Sequence, residues 1–165
     1  MKIAILSDTH GLLRPELFPH LEGVEEILHA GDVGPAGLLV ELEAFAPVTA
    51  VWGNTDGFEL RHRLPEIARL ERSDHRIVVM HGHQLGMPTP ETVADAHPDV
   101  DLVIFGHTHR PMIEQVGSVL AVNPGSCGPR RFDLHPTLAL AHLDPGHIEV
   151  EVVEIRSHEQ GGELT

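Results

Sequence analysis

Apolar residues along this chain come in short runs that end abruptly at polar, glycine-bearing junctions. Residues 2–7 (KIAILS) are mostly apolar and then meet Asp8, which reads as a buried strand. Residues 25–30 (EEILHA) end in Gly31-Asp32 and residues 48–52 (VTAVW) in Gly53-Asn54, and both predict strands. Between them, residues 36–46 (AGLLVELEAFA) carry apolar side chains at helical spacing and stop before Pro47, predicting a helix. Residues 66–72 and 75–81 flank Ser73-Asp74 and predict a hairpin. Thr89 as N-cap with Pro90 at the first helical position opens a helix that runs to about Ala96. Residues 101–106 (DLVIFG) predict a further strand. Two more hairpins are expected, at 112–116 with 118–123 around Gly117, and at 137–143 with 147–155 around Asp144-Pro145-Gly146.

The first half therefore alternates strand and helix, and the second half is richer in hairpins. That mixture predicts an α/β domain built on two sheets. At 165 residues, one domain over 1–155 is expected, followed by a polar tail, 156–165 (RSHEQGGELT). There is no internal repeat and no apolar run of about 18 residues that would span a membrane. Asp8 and His10 interrupt the first apolar run before it resembles a secretion signal, so the cytoplasm is the expected location.

The polar junctions share one trait: they follow strands. Asp8 and His10 follow the first, Asp32 the second, Asn54 and Asp56 the third. His81 and His83 follow the second strand of the first hairpin, and His107 and His109 follow DLVIFG. Ligands of open α/β sheets bind outside the carboxyl ends of strands, so these ends can aim one set of Asp, Asn and His at a common site. Gly11, Gly31, Gly53, Gly82 and Gly106 sit among them, where sharp turns and close backbone approach are needed.

Composition sharpens this. Fourteen histidines and a formal charge of −14 describe an acidic, imidazole-rich chain suited to cations. Such a charge disfavours non-specific binding to nucleic-acid backbones. The single cysteine, Cys127, excludes an internal disulfide and a Cys-type structural zinc site. Imidazole and carboxylate donors fit divalent transition metals. Two acids, one amide and four imidazoles from these junctions suffice for two ions if a carboxylate bridges. A two-metal centre is suited to phosphoryl displacement.

The set Asp8-Thr9-His10, Gly31-Asp32, Gly53-Asn54-Thr55-Asp56, His81-Gly82-His83 and Gly106-His107-Thr108-His109 resembles the motifs of the calcineurin-like metallophosphoesterase superfamily. Asn123-Pro124-Gly125-Ser126 followed by Pro129-Arg130 resembles a later loop of its small bacterial and archaeal phosphodiesterases, the YfcE-like branch. The resemblance implies a four-layer fold, two mixed sheets packed as a sandwich between helices. It implies that Asp8, His10 and His109 hold one metal, that Asn54, His81 and His107 hold another, and that Asp32 bridges. Asp32, Asn54 and His81 are then also the catalytic set, and a water or hydroxide between the ions is the nucleophile. The expected cofactors are two divalent ions, manganese first, with nickel, cobalt, iron or zinc as other candidates. The expected partner is a small phosphodiester, and by analogy the chain forms a dimer or tetramer.

One position departs from many phosphomonoesterases of the superfamily, which carry His where this chain has Thr55. Threonine is no acid at neutral pH, so diesters with good leaving groups are the expected substrates. Competing readings are a non-catalytic scaffold on the same fold, such as the retromer's small subunit, and a monoesterase or dinucleotide polyphosphate hydrolase. Asp56 either hydrogen-bonds a ligand or shapes its turn. His83 orients a ligand, meets phosphate, or is a plain loop histidine. Arg130 and Arg131 either contact substrate phosphate or form loop ion pairs. His29 is expected to be a satisfied core imidazole, Trp52 a core residue and Cys127 an inert thiol. Glu22, Glu25 and Glu26 are expected on a solvated face. The eight histidines without a motif (His20, His62, His75, His97, His135, His142, His147, His158) are expected at the surface.

Overall fold

The computed structural model of the chain describes residues 1–131 and 133–157. Most of the expected polar tail, with His158, lies outside the described residues. Two five-stranded sheets form the body. The first is ordered β10-β9-β1-β2-β3, from β1 (Lys2–Leu6), β2 (Glu26–His29), β3 (Val48–Ala50), β9 (Thr137–Asp144) and β10 (His147–Glu154). The second is ordered β4-β5-β6-β8-β7, from β4 (Ile67–Arg72), β5 (His75–Met80), β6 (Leu102–Ile104), β7 (Met112–Val116) and β8 (Val119–Asn123). Both sheets are mixed. β1, β2 and β3 run parallel, as do β5, β6 and β8, while β9 pairs antiparallel with β1 and β10, β4 with β5, and β7 with β8.

Strand alternation builds the layers. Ile3 and Ile5 of β1 meet Ile77, Val79, Leu102 and Ile104 of the second sheet in the inter-sheet core. Ala4 and Leu6, pointing the other way, pack under helix α1 (Gly37–Glu43) through Leu38 and Leu42. Beneath the second sheet, Val78, Met80, Val103 and Phe105 pack against Val93 and Ala94 of helix α3 (Pro90–Ala96). The order is helix, sheet, sheet, helix, as expected.

Local signals explain most element ends. Thr89 caps α3, its hydroxyl accepting from the Thr92 amide at 3.2 Å, with Pro90 in the first turn. Ser73 and Asp74 both take positive φ (50° and 66°), the signature of a tight type I′ hairpin turn. Three elements have no expectation behind them, the short 3-10 turn His83–Leu85 and the two that follow. Helix α2 (Phe58–Arg63) buries only Leu60 and leaves Phe58 exposed, so its apolar periodicity is weak. The 3-10 segment Pro15–Leu21 carries Pro19 inside it, which hides it from helix propensity.

Four expectations about burial are corrected. Glu26 is buried, bonded through both oxygens to Arg72 (2.7 and 3.0 Å) and to Thr49, because β2 turns it toward β4 of the other sheet. His75 and His97 are buried, their rings satisfied by the Asp144 carbonyl (2.7 Å) and Arg69 (3.1 Å). Trp52 is only half-buried: it lies past the end of β3, with the Arg61 guanidinium 4.8 Å above its ring and the His83 ring 5.3 Å away.

Candidate metal centre

Five strands, β1, β2 and β3 of one sheet and β5 and β6 of the other, deliver the polar junctions to one rim of the sandwich. Asp8 (φ 56°), His10 (45°), Asp32 (53°), His107 (70°) and His109 (60°) all occupy the left-handed region. Non-glycine residues enter it at a cost of roughly 1–2 kcal/mol each, and such strain gathers where surroundings hold it for function. Here backbone bonds hold it: Asp8 N–H to Gly31 O, His10 N–H to Asp32 O and Gly106 N–H to His81 O, each 3.0 Å. Two glycines are required by proximity. A Cβ on Gly53 would strike the Asp32 carboxylate and amide, and one on Gly106 would strike the Ser7 hydroxyl and the Asp8 carboxylate.

Asp8 and Asp32 each commit one oxygen to the protein. Asp8 Oδ2 accepts from Ser7 Oγ (2.6 Å) and the His107 amide (3.2 Å), while Oδ1 is buried without a hydrogen-bond partner. Around Oδ1 stand the Nε2 atoms of His109 (3.2 Å, without hydrogen-bond alignment), His10 (3.7 Å) and His81 (3.9 Å). Asp32 Oδ1 accepts from the Thr55 amide (2.9 Å), while Oδ2 faces Nε2 of His81 (3.2 Å) and His10 (3.8 Å). His81 lies 2.8 Å through Nδ1 from the Ala30 carbonyl, which only accepts, so Nδ1 carries the proton and Nε2 turns its lone pair inward. His10 and His109 face each other at 3.4 Å, and His107 Nδ1 lies 3.3 Å from His81 Nε2. Asp8, His10 and His109 form one potential ligand group and Asp8, Asp32 and His81 a second.

Among the described residues, the buried side-chain polar atoms without a partner are Asp8 Oδ1, His83 Nδ1 and His109 Nδ1, all at this rim. Burial pushes both carboxyls up, but the histidines clustered around them outweigh it. Asp8, beside His10, His109 and His81, is held well below the carboxylate range, and Asp32, beside His81 and Thr55, falls to about 2. Burial alone would lower His81, yet Asp32 and Asp8 raise it. Burial, with His81 nearby, lowers His107. Free carboxylate oxygens among inward-facing imidazole nitrogens are a donor set that fits divalent metal ions.

The other candidate residues fall around this set. Asn54 is exposed in the loop after β3, one residue before the Thr55 amide that holds Asp32. Asp56 shapes the turn: it is buried and accepts from the amides of Gly53 (2.8 Å), Gly34 (3.0 Å) and Val33 (3.2 Å). His83 lies between Trp52 and His81 with its ring tilted to both, 3.8 Å from Glu66, and burial lowers its pKa. Arg130 is exposed and adjoins a narrow crevice that reaches His109. His29 is fully buried behind the rim, and Cys127 is buried with its thiol pushed up to about 12.

Residues 1–146 match the family model of the calcineurin-like phosphoesterase superfamily domain. The chain belongs to the calcineurin-like phosphoesterase superfamily. A probable metallophosphoesterase of Methanothermobacter thermautotrophicus is 34% identical over 164 residues, covering 93% of this chain and 92% of that one. Phosphodiesterase YfcE of Escherichia coli K12 is 32% identical over 152 residues, covering 76% of this chain and 79% of its own. Zinc-bound Vps29 of Entamoeba histolytica shares the fold, with a TM-score of 0.76 at 24% identity over 94% of this chain and all of that one. Family membership makes this a metal-dependent phosphoesterase fold with a matching set of candidate ligands.

The calcineurin-like motifs do not name every residue that builds the rim. Ser126 Oγ donates to Asp8 O (2.8 Å), and Asn123 Nδ2 donates to Gly106 O (3.0 Å), so the NPGS loop braces two ligand loops at once. Arg61 of α2 donates to the carbonyls of Asp56 (2.7 Å) and Asn54 (2.8 Å) and clamps the third loop. The NPGS motif marks its loop in the sequence, but nothing in the local pattern marks Arg61.

Proposed function

We propose that this protein is a two-metal phosphodiesterase acting on small diesters through attack by water. What carries the reading is the pair of free carboxylate oxygens, Asp8 Oδ1 and Asp32 Oδ2, each facing two or more imidazole nitrogens. In this reading Asp8, His10 and His109 hold one ion, Asn54, His81 and His107 the other, and Asp32 serves both. The placement of Asp32 Oδ2, between His81 and His10, supports the bridging role. Manganese is the favoured metal, since carboxylate and amide oxygens in the set pull imidazole preference toward harder ions. Two such ions generate a nucleophile from water near neutral pH and neutralise phosphate charge. The chain's residues do the rest. The Ala30 carbonyl fixes the tautomer of His81, and the Thr55 amide fixes the rotation of Asp32. The Thr55 hydroxyl supplies no proton to a leaving group, so the preferred substrates are diesters whose leaving group departs unaided.

The test joins metal analysis to a diester assay on the purified protein. About two ions per chain and chelator-sensitive hydrolysis of a chromogenic aryl diester are expected. Asp32→Ala is expected to lose both activity and paired loading, and full activity in that variant refutes the bridging role. Paired loading with no turnover of diester or monoester would leave a metal-binding scaffold.

A further inference from the structure

Next to the metal centre, an open cavity of about 500 Å³ gathers Arg14, Arg130, Arg156, His135 and Glu154. In a chain of net charge −14, these residues carry three guanidinium groups against one carboxylate. That carboxylate is already spent, since Glu154 pairs with Arg156 at 3.0 Å. Arg14 is anchored through Nε to the Gly128 carbonyl at 3.0 Å, leaving its terminal nitrogens to donate elsewhere. Arg14 follows His10 on the first ligand loop, and Gly128 follows Ser126 on the loop that braces Asp8. A separate narrow crevice that touches His109 shares Arg130 and His135 with the cavity. Guanidinium forks match phosphate oxygens in bidentate pairs, and they repel metal cations.

We propose that this cavity binds a second, dianionic phosphate of the substrate, so that the preferred diesters carry a further terminal phosphate. This rests on the phosphodiesterase reading for the first phosphate, which sits at the metal centre. Where the second sits follows from the arginines alone.

Binding of propanediol, butanediol and hexanediol bisphosphates to the metal-loaded full chain, each against its monophosphate, tests the proposal by calorimetry without turnover. At least one bisphosphate is expected to bind about tenfold tighter than its monophosphate at low salt, with the advantage shrinking as salt screens the cavity. The advantage is expected to vanish in Arg14→Gln/Arg156→Gln and to fall in Arg156→Gln. Arg156 is 82% exposed, so the fold does not depend on it. An advantage below about twofold at every spacing, or one that both variants retain, overturns the proposal. A separate diester assay keeps the two readings apart. Bisphosphate selectivity without hydrolysis sinks the phosphodiesterase reading and leaves the anion site standing, and hydrolysis without selectivity does the reverse.

Discussion

Asp8 and Asp32 each surrender one oxygen to the protein and keep the other for the site, and the same division of labour appears in the histidine behind them. His29 Nδ1 accepts from the Gly31 amide (3.2 Å), so Nε2 carries the proton and faces Thr9 Oγ1 (3.0 Å), whose hydroxyl donates onward to the Val33 carbonyl (2.7 Å). A second proton on this ring would face the Gly31 N–H. Burial above all lowers its pKa from 6.5 to about 4. A folded-state pKa depressed in this way gives stability that is whole above pH 6.5 and is lost as pH falls toward about 4. The shift corresponds to on the order of 3 kcal/mol. Urea unfolding near pH 7 and about pH 5 is expected to show a shallower pH dependence in His29→Gln than in the parent, and equal slopes would show that His29 is not the titrating group. Thr55 makes a second prediction at this scale. Giving the position an acid, Thr55→His is expected to raise the monoester-to-diester ratio of kcat/KM by about tenfold or more. A parent enzyme that already prefers monoesters, with no gain in the variant, would remove leaving-group chemistry from this position.

Loops and strands act as units around these residues. Gly53 closes the third loop against Asp32, so Gly53→Ala is expected to displace the carboxylate and cost about 1–3 kcal/mol, with paired metal loading lost as well. Thermal unfolding and metal analysis of the variant check both at once. Arg72 and Glu26 tie β4 of one sheet to β2 of the other through two charged hydrogen bonds around a buried carboxylate. Arg72→Ala is expected to cost about 2–3 kcal/mol. Arg63→Ala, at an exposed helix pair, is expected to cost roughly 0.5 kcal/mol or less. The sequence made the strands and their polar ends legible, because a buried strand is a short apolar run and the ligands must follow it. The same pattern hid Glu26 and Trp52. Whether a charged residue at a strand start is buried depends on the sheet facing it, and whether an aromatic at a strand end is core depends on the loop beyond it. It hid the left-handed backbone of Asp8, His10, Asp32, His107 and His109 too, since only glycine advertises positive φ. Arg61 was invisible for the plainest reason: it acts through backbone carbonyls, which carry no side-chain code.

At the scale of the molecule, the rim joins what the core only stacks. The two potential ligand groups at the rim follow β1 and β2 of one sheet and β5 and β6 of the other, so metal bound there would cross-link the two sheets that Ile3, Ile5, Ile77 and Ile104 hold by apolar contact. The unfolded chain offers no such arrangement, so metal should bind the folded state alone and stabilise it by mass action. Free metal at about 100 times its dissociation constant contributes about 2.7 kcal/mol. For a chain of this size that raises Tm by about 5–10 °C. Manganese titrated into chelator-treated protein is therefore expected to raise Tm progressively, with the rise absent in Asp8→Asn, which keeps the buried shape but loses the charge. A Tm indifferent to metal in protein shown to load it would mean that the sheets dock equally well without it. The rim would then be a passenger on the sandwich rather than part of what holds its two halves in register.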